Sequence, residues 1–214
     1  MKRILTLVLA LMMIFTVCAS AEGFTIGYSL KTITNDSFQL ALHNAVKDAV
    51  EASGNTFVAA IAETQTGVAT QVTQIEDLIN SGVDALILNP MDSNACITVM
   101  EKAKEAGIPV IAYDRLLTAT EAVDYYTTFD NYKVGQIQGQ YVIDTLDLAN
   151  TDKTYTIEFT AGSPDDNNAG LFFGGAYDTV KPYLDSGKLV CVSGQTQFET
   201  VATPAWNSAT AQAR

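Results

Sequence analysis

From Phe24 onward, short apolar runs alternate with stretches whose apolar positions recur every three or four residues, the spacing of one helix face. Phe24 to Leu30 predicts a strand. Asp36 then opens a helix with Phe38, Leu42, Ala45, Val46 and Ala49 on one face, and Ser53-Gly54-Asn55 stops it. Thr56 to Ile61 predicts a second strand, and Val68, Val72, Ile75 and Ile79 mark the buried face of the next helix, ended by Ser81-Gly82. Asp84 to Leu88 is nearly all apolar, as in strands covered on both faces, and Asn89-Pro90 breaks it. A helix over Asn94 to Glu105, with Ile97, Met100 and Ala103 inward, leads to a strand at Pro109 to Tyr113. Three strand-helix-strand units in series predict a parallel sheet with helices on both faces.

The pattern then restarts. A strand near Tyr125 to Phe129, a helix from Tyr132 to Leu146, a strand at Tyr155 to Thr160, a helix from Asp165 to Leu184 and a strand at Leu189 to Val192 predict a second α/β lobe. The link from Leu146 to Lys153 is short and polar, and no Pro/Ser-rich tract separates the halves, so the lobes are expected to sit close together. A last helix begins near Trp206 and reaches Arg214 without a cap or a closing strand. The expected division is therefore residues 22–128 for the N-terminal lobe and 129–214 for a second lobe that is incomplete, the chain being truncated.

The first residues change the picture of where the chain works. Lys2-Arg3, the apolar run Ile4 to Val17 and the small residues before Glu22 form a signal peptide over residues 1–21, cut after Ala21. The run is short for a membrane span, so export to the periplasm or cell surface is expected. Cys18 is a less favoured lipid-anchor site, because Val17 stands where a small residue is required. The net charge of −12 comes without a basic cluster, which argues against a nucleic-acid partner. Cys96 and Cys191 are too few and too far apart for a disulfide framework and are expected to be free and buried.

Open parallel sheets take ligands beyond the carboxyl ends of their strands. Three polar segments fall there: Lys31 to Phe38, Asp114-Arg115, and Ala161 to Asn168. Carboxylates accept from neighbouring hydroxyls, a guanidinium donates to their lone pairs, and amides do both, a set suited to a neutral polyhydroxy ligand. Trp206 is the only tryptophan and lies in a polar stretch; it suits stacking on a sugar ring or, equally, a place in the core. Asp36, Asp165 and Asp166 also suit helix caps, and Asp114-Arg115 an ordinary ion pair. Their shared position at strand ends favours a site. No glycine-rich dinucleotide loop, P-loop or nucleophile elbow is present, and His43 stands alone within a helix, so no catalytic residue, metal site or cofactor is expected.

At these residues the chain resembles the pentose/hexose periplasmic binding proteins, the ribose-, galactose- and xylose-binding group, and within it the multiple-sugar-binding branch. The resemblance is carried by Gln71-x-x-Gln74-Ile75-Glu76, Gly82-Val83-Asp84-Ala85-Leu86-Ile87, Val110-Ile111-Ala112-Tyr113-Asp114-Arg115-Leu116 and Phe129-Asp130-Asn131. It continues through Gly162-Ser163-Pro164-Asp165-Asp166-Asn167-Asn168, Lys181-Pro182-Tyr183 and Trp206-Asn207 to Arg214. It implies a type I periplasmic-binding-protein fold, two Rossmann-like lobes closing by a hinge on a monosaccharide, an aldohexose or aldopentose. It implies ligand-binding roles for Asp36, Phe38, Asp114, Arg115, Asp165, Asp166, Asn168 and Trp206, with Phe38 and Trp206 sandwiching the sugar. The implied partner is the membrane permease of an ABC-type importer, with a chemoreceptor or sensor kinase as the alternative, and the implied state is a monomer. The stretch Asp36-Ser37-Phe38-Gln39 departs from relatives that carry Arg or Trp beside the phenylalanine, which leaves the particular sugar open.

Overall fold

The computed structural model describes residues 23–34, 36–63 and 67–214. The signal peptide and Cys18 lie outside them. Two α/β units follow each other. The first holds a five-stranded parallel sheet of β1 (Thr25–Leu30), β2 (Thr56–Ile61), β3 (Ala85–Leu88), β4 (Val110–Tyr113) and β5 (Tyr125–Thr127), in the spatial order β2-β1-β3-β4-β5. The order reverses between β1 and β3, and that switch point opens a crevice at the carboxyl ends of both strands.

Helix α1 (Ser37–Ala52) lies on one face of this sheet; α2 (Val68–Asn80) and α3 (Ile97–Glu105) lie on the other. The second face carries the main core, where Ile75 and Leu78 of α2 and Val99, Met100 and Ala103 of α3 pack on Leu86, Leu88 and Val110. Burying a side chain of this kind contributes about 1.5–3 kcal/mol. On the α1 face, Tyr28 meets His43 and Phe57, with ring centroids 6.2 and 6.0 Å away. His43 is therefore a packing residue.

Two expectations for this unit change. Helix α1 turns Gln39 and Val50 inward, while Phe38, Ala45 and Ala49 are exposed. The apolar spacing alone misplaced the face by about one position, because Gln39 is buried by satisfying its amide, and Phe38 looks into the crevice. The strand at Tyr125, expected to open the second series, instead pairs with β4 through Ile111↔Tyr125 and Tyr113↔Thr127 and forms the edge of the first sheet. It is also shorter than expected.

The second unit is built from α4 (Asn131–Thr145), β6 (Tyr155–Ile157), α5 (Asn167–Asp185) and β7 (Leu189–Cys191), followed by α6 (Phe198–Val201), a 3-10 turn (Pro204–Trp206) and α7 (Ser208–Gln212). Strands β6 and β7 pair in parallel, and their ladder ends at Ile157↔Cys191, where the chain turns through Val192 and Ser193. Helices α4 and α5 touch backbone to backbone: a Cβ on Gly135 would sit 2.2 Å from the Phe172 carbonyl oxygen, and one on Gly175 would sit 2.1 Å from that of Tyr132. Only glycine permits that approach. The core beneath is Ile143, Leu148, Val180 and Leu189.

Cys96 is buried and free, and burial, aided by the charge of Asp92, pushes its thiol up to about 12. Cys191 is free but only half-buried. It ends β7 at the rim of a two-stranded sheet, where its sulfur lies 3.5 Å from Glu158 Oε2.

Candidate functional site

The crevice is a cleft of about 900 Å³, lined from the first unit by the ends of β1 and β4 and the start of α1, and from the second by the starts of α4 and α5 and the 3-10 turn. At the end of β4, the Arg115 amide donates to the Tyr113 carbonyl at 2.9 Å, closing a tight turn centred on Asp114, whose φ is 69°. Such a turn is strained for any side chain, and aspartate is among the residues enriched at positive φ. The turn brings both the Asp114 and the Arg115 side chains to the cleft.

Arg115 is almost fully buried. Its Nε lies 3.0 Å from Asp166 Oδ2, an ion pair between the units, and its Nη1 donates to the Met91 carbonyl at 2.9 Å. Asp166 uses both oxygens. Oδ1 accepts from the Asn168 amide at 3.0 Å and so caps α5, while Oδ2 also accepts from Trp206 Nε1 at 3.0 Å. One buried carboxylate thus holds the guanidinium, the helix end and the indole.

Asn168 sends its Nδ2 to the Asp114 carbonyl at 2.8 Å and accepts on Oδ1 from Asn131 Nδ2, also at 2.8 Å. Its amide is thereby oriented from both ends. Across the cleft, Asp36 caps α1 by accepting from the Gln39 amide at 3.0 Å, and its Oδ2 lies 3.2 Å from Lys31 Nζ. Asp36 and Asp166 each cap a helix and line the cleft at once.

Charge in the cleft is unevenly compensated. Lys31 faces Asp36 and Arg115 faces Asp166, whereas the Asp114 carboxylate receives, among the described residues, one weak hydrogen bond, from Asn89 Nδ2 at 3.4 Å. Burial raises the Asp114 carboxyl above its ordinary range, and the neighbouring charge of Asp166 adds to this; Arg115, Asn89 and Lys31 oppose it. A carboxyl group facing a cleft with so few donors on it has lone pairs left for hydroxyl donors.

The indole of Trp206 rests on Gly162, where a Cβ would come within 2.1 Å of Cη2. The turn behind it has Ala205 and Trp206 both at φ 54° and is tied down by Ala205 N–H donating to Ser163 Oγ at 2.8 Å. Trp206 remains 38% exposed and Phe38 51% exposed, each lining the cleft. Trp206 is therefore not a core residue.

Seven of the eight expected residues line this one cleft: Asp36, Phe38, Asp114, Arg115, Asp166, Asn168 and Trp206. Asp165 stands outside its lining. It precedes the cap, its carbonyl accepts from Ser93 Oγ at 3.3 Å, and its Oδ1 is buried without a hydrogen-bond partner among the described residues. The lining also includes Lys31, Gln39, Phe129, Phe172 and Asn207, none of which the sequence pattern alone marks individually as a ligand. Lys31 carries a signal, a charged residue directly after a buried strand; Phe129 falls at the end of a predicted strand.

Known proteins resemble the chain over most of its length. The family described as a periplasmic binding protein domain matches residues 26–214. The multiple sugar-binding periplasmic receptor ChvE of Rhizobium radiobacter is 47% identical over 144 residues, 67% of this chain and 41% of that protein. The D-xylose-binding periplasmic protein of Escherichia coli is 34% identical over 194 residues, 91% of this chain and 56% of that protein. A solved ABC transporter solute-binding protein from Clostridium phytofermentans, with bound β-D-glucose, superposes with a TM-score of 0.82 at 39% identity, over 89% of this chain and 58% of its own. The chain spans between 41% and 58% of the length of these proteins. From the match over 26–214 and these likenesses, the chain belongs to the periplasmic binding protein family, with its type I fold.

Proposed function

We propose that this chain forms the sugar cleft of an exported receptor for an ABC-type importer, binding an aldohexose or aldopentose between its two units. One observation carries the reading: an under-satisfied carboxylate, a guanidinium and an indole converge on one cleft, joined by the buried carboxylate of Asp166. Asp114 would accept from ring hydroxyls, Arg115 and Lys31 would donate, and the exposed faces of Trp206 and Phe38 would cover the C–H surface of the ring. The glucose bound by the Clostridium relative and the names of the ChvE and xylose-binding relatives support a monosaccharide.

The mechanism follows from where the contacts lie. Residues from both units line the cleft, so a ligand touching both stabilises the closed arrangement over any open one by its differential contacts. The closed form would then be what a permease receives. Isothermal titration of the chain against a panel of aldopentoses and aldohexoses should give one-site binding to at least one of them. Absence of heat with every sugar, confirmed by unchanged thermal unfolding, would overturn the reading.

A further inference from the structure

Behind Asp114 lies a buried polar network that the proposed binding role does not use. Asn89 follows β3 and is fully buried. Its Nδ2 forks between Gln39 Oε1 at 3.2 Å and Asp114 Oδ2 at 3.4 Å, while its Oδ1 has no hydrogen-bond partner among the described residues. Its main chain is fastened on both sides: the amide donates to the Ser29 carbonyl at 2.9 Å, and the carbonyl accepts from Gln71 Nε2 at 2.9 Å. Gln71, also fully buried, accepts on Oε1 from the Met91 amide at 2.8 Å. The ends of β1 and β3 are thus tied to α1 and α2 at one point.

Packing does not require this arrangement. An orphaned buried acceptor costs free energy that an apolar side chain of similar size would avoid, so the amide at this point needs another reason. Both partners of Nδ2 are acceptors, which fixes the amide's orientation; flipping it would set oxygen against oxygen. The fork's other end is anchored on Gln39, whose backbone N–H donates to Asp36 Oδ1 in the α1 cap.

We propose that Asn89, braced by Gln39, is the positioning residue that holds the Asp114 carboxylate as an oriented acceptor for ligand hydroxyls. The inference rests on the sugar-binding reading of the cleft. Asp114 is faced by Asp166, Arg115 and Lys31, with Asp36 behind Lys31, and by the phenols of Tyr28, Tyr113 and Tyr126. Asp166 and burial favour protonation of Asp114; the Asn89 amide, Arg115 and Lys31 favour the carboxylate. Removing the Asn89 donor shifts that balance toward the protonated acid and frees the carboxylate to rotate.

The test uses Asn89→Leu, with Asn89→Ser as the second variant should the first fail to fold, and D-glucose and D-xylose as probes. Affinity at neutral pH should fall about tenfold, and its acid limb should move up by about one pH unit relative to the parent. In the Asp114→Asn background the same change should have little further effect. A loss that is equal at every pH, or that adds in full to Asp114→Asn, would overturn the proposal. Carboxyl-carbon NMR titration of Asp114 in the ligand-free chain separates the two failures. If neither sugar binds but Asn89→Ser raises the Asp114 midpoint, the sugar reading fails and the positioning role stands; an unmoved midpoint sinks the positioning role itself.

Discussion

Arg115 and Asp166 meet with Nε 3.0 Å from Oδ2, both side chains at least 94% buried, and this contact joins the end of β4 to the start of α5. An ion pair removed from water to this degree is not evidence of great stability, because desolvation offsets much of its attraction. Losing one partner is another matter. Arg115→Ala would leave Asp166, among the described residues, with two of its three side-chain partners, the Asn168 amide and Trp206 Nε1, and with its buried charge lacking a counter-ion.

Arg115→Ala should therefore destabilise the chain by about 3–5 kcal/mol, measured by urea unfolding, and replacing both residues by apolar ones should cost less than the single change. Arg115→Lys should recover only part of the loss, since an ammonium has no planar fork with which to reach both Asp166 and the Met91 carbonyl. A single variant as stable as the parent would show that the pair contributes nothing to holding the units together.

Gly162 and Trp206 supply a second expectation. The indole lies where a Cβ at Gly162 would need to be, and the ring is rigid and anchored at both its backbone turn and its Nε1, so it cannot slide aside cheaply. Gly162→Ala should displace the ring, break the Trp206 to Asp166 hydrogen bond and weaken sugar binding by about tenfold or more. Because Trp206 is the sole tryptophan, its emission maximum reports the displacement directly, before any ligand is added. Unchanged emission together with unchanged affinity would mean that the ring's seat on Gly162 does not matter.

Much of this fold was legible because parallel strands buried on both faces leave unbroken apolar runs, as at Ala85–Leu88 and Val110–Tyr113. The site was legible for a related reason: polar residues directly after such runs, Asp114 and Arg115 above all, have nowhere to be but the crevice. What periodicity missed were cases settled by partners distant in sequence. Gln39 is buried because Asn89 is opposite it, and Phe38, the apolar residue expected inward, faces the cleft. Tyr125 joins the first sheet because Ile111 is its neighbour in register. Asn89 itself reads in sequence as half of an Asn-Pro strand breaker, and only its contacts reveal an amide serving a carboxylate twenty-five residues on.

Asp114→Asn separates stability from function. Burial and the Asp166 charge raise the Asp114 carboxyl in the folded state, so over the window from the unfolded carboxyl range up to that raised value the folded chain holds a proton that the unfolded chain releases. Stability due to Asp114 accordingly falls as pH rises through this window and is level above it. The amide does not titrate, and asparagine tolerates φ 69° as readily as aspartate, so the variant should escape the loss without added strain. Urea unfolding over about pH 4 to 8 should show the variant gaining on the parent as pH rises, then a constant advantage. Titration with D-glucose should show the opposite for binding, with affinity at neutral pH lowered about tenfold or more, because the variant offers one acceptor oxygen where the parent offers two. If the parent instead gains on the variant through this window, Arg115 and Lys31 stabilise the Asp114 carboxylate more than burial and Asp166 penalise it, and the acceptor would be a structural charge rather than one held against its preference for a ligand.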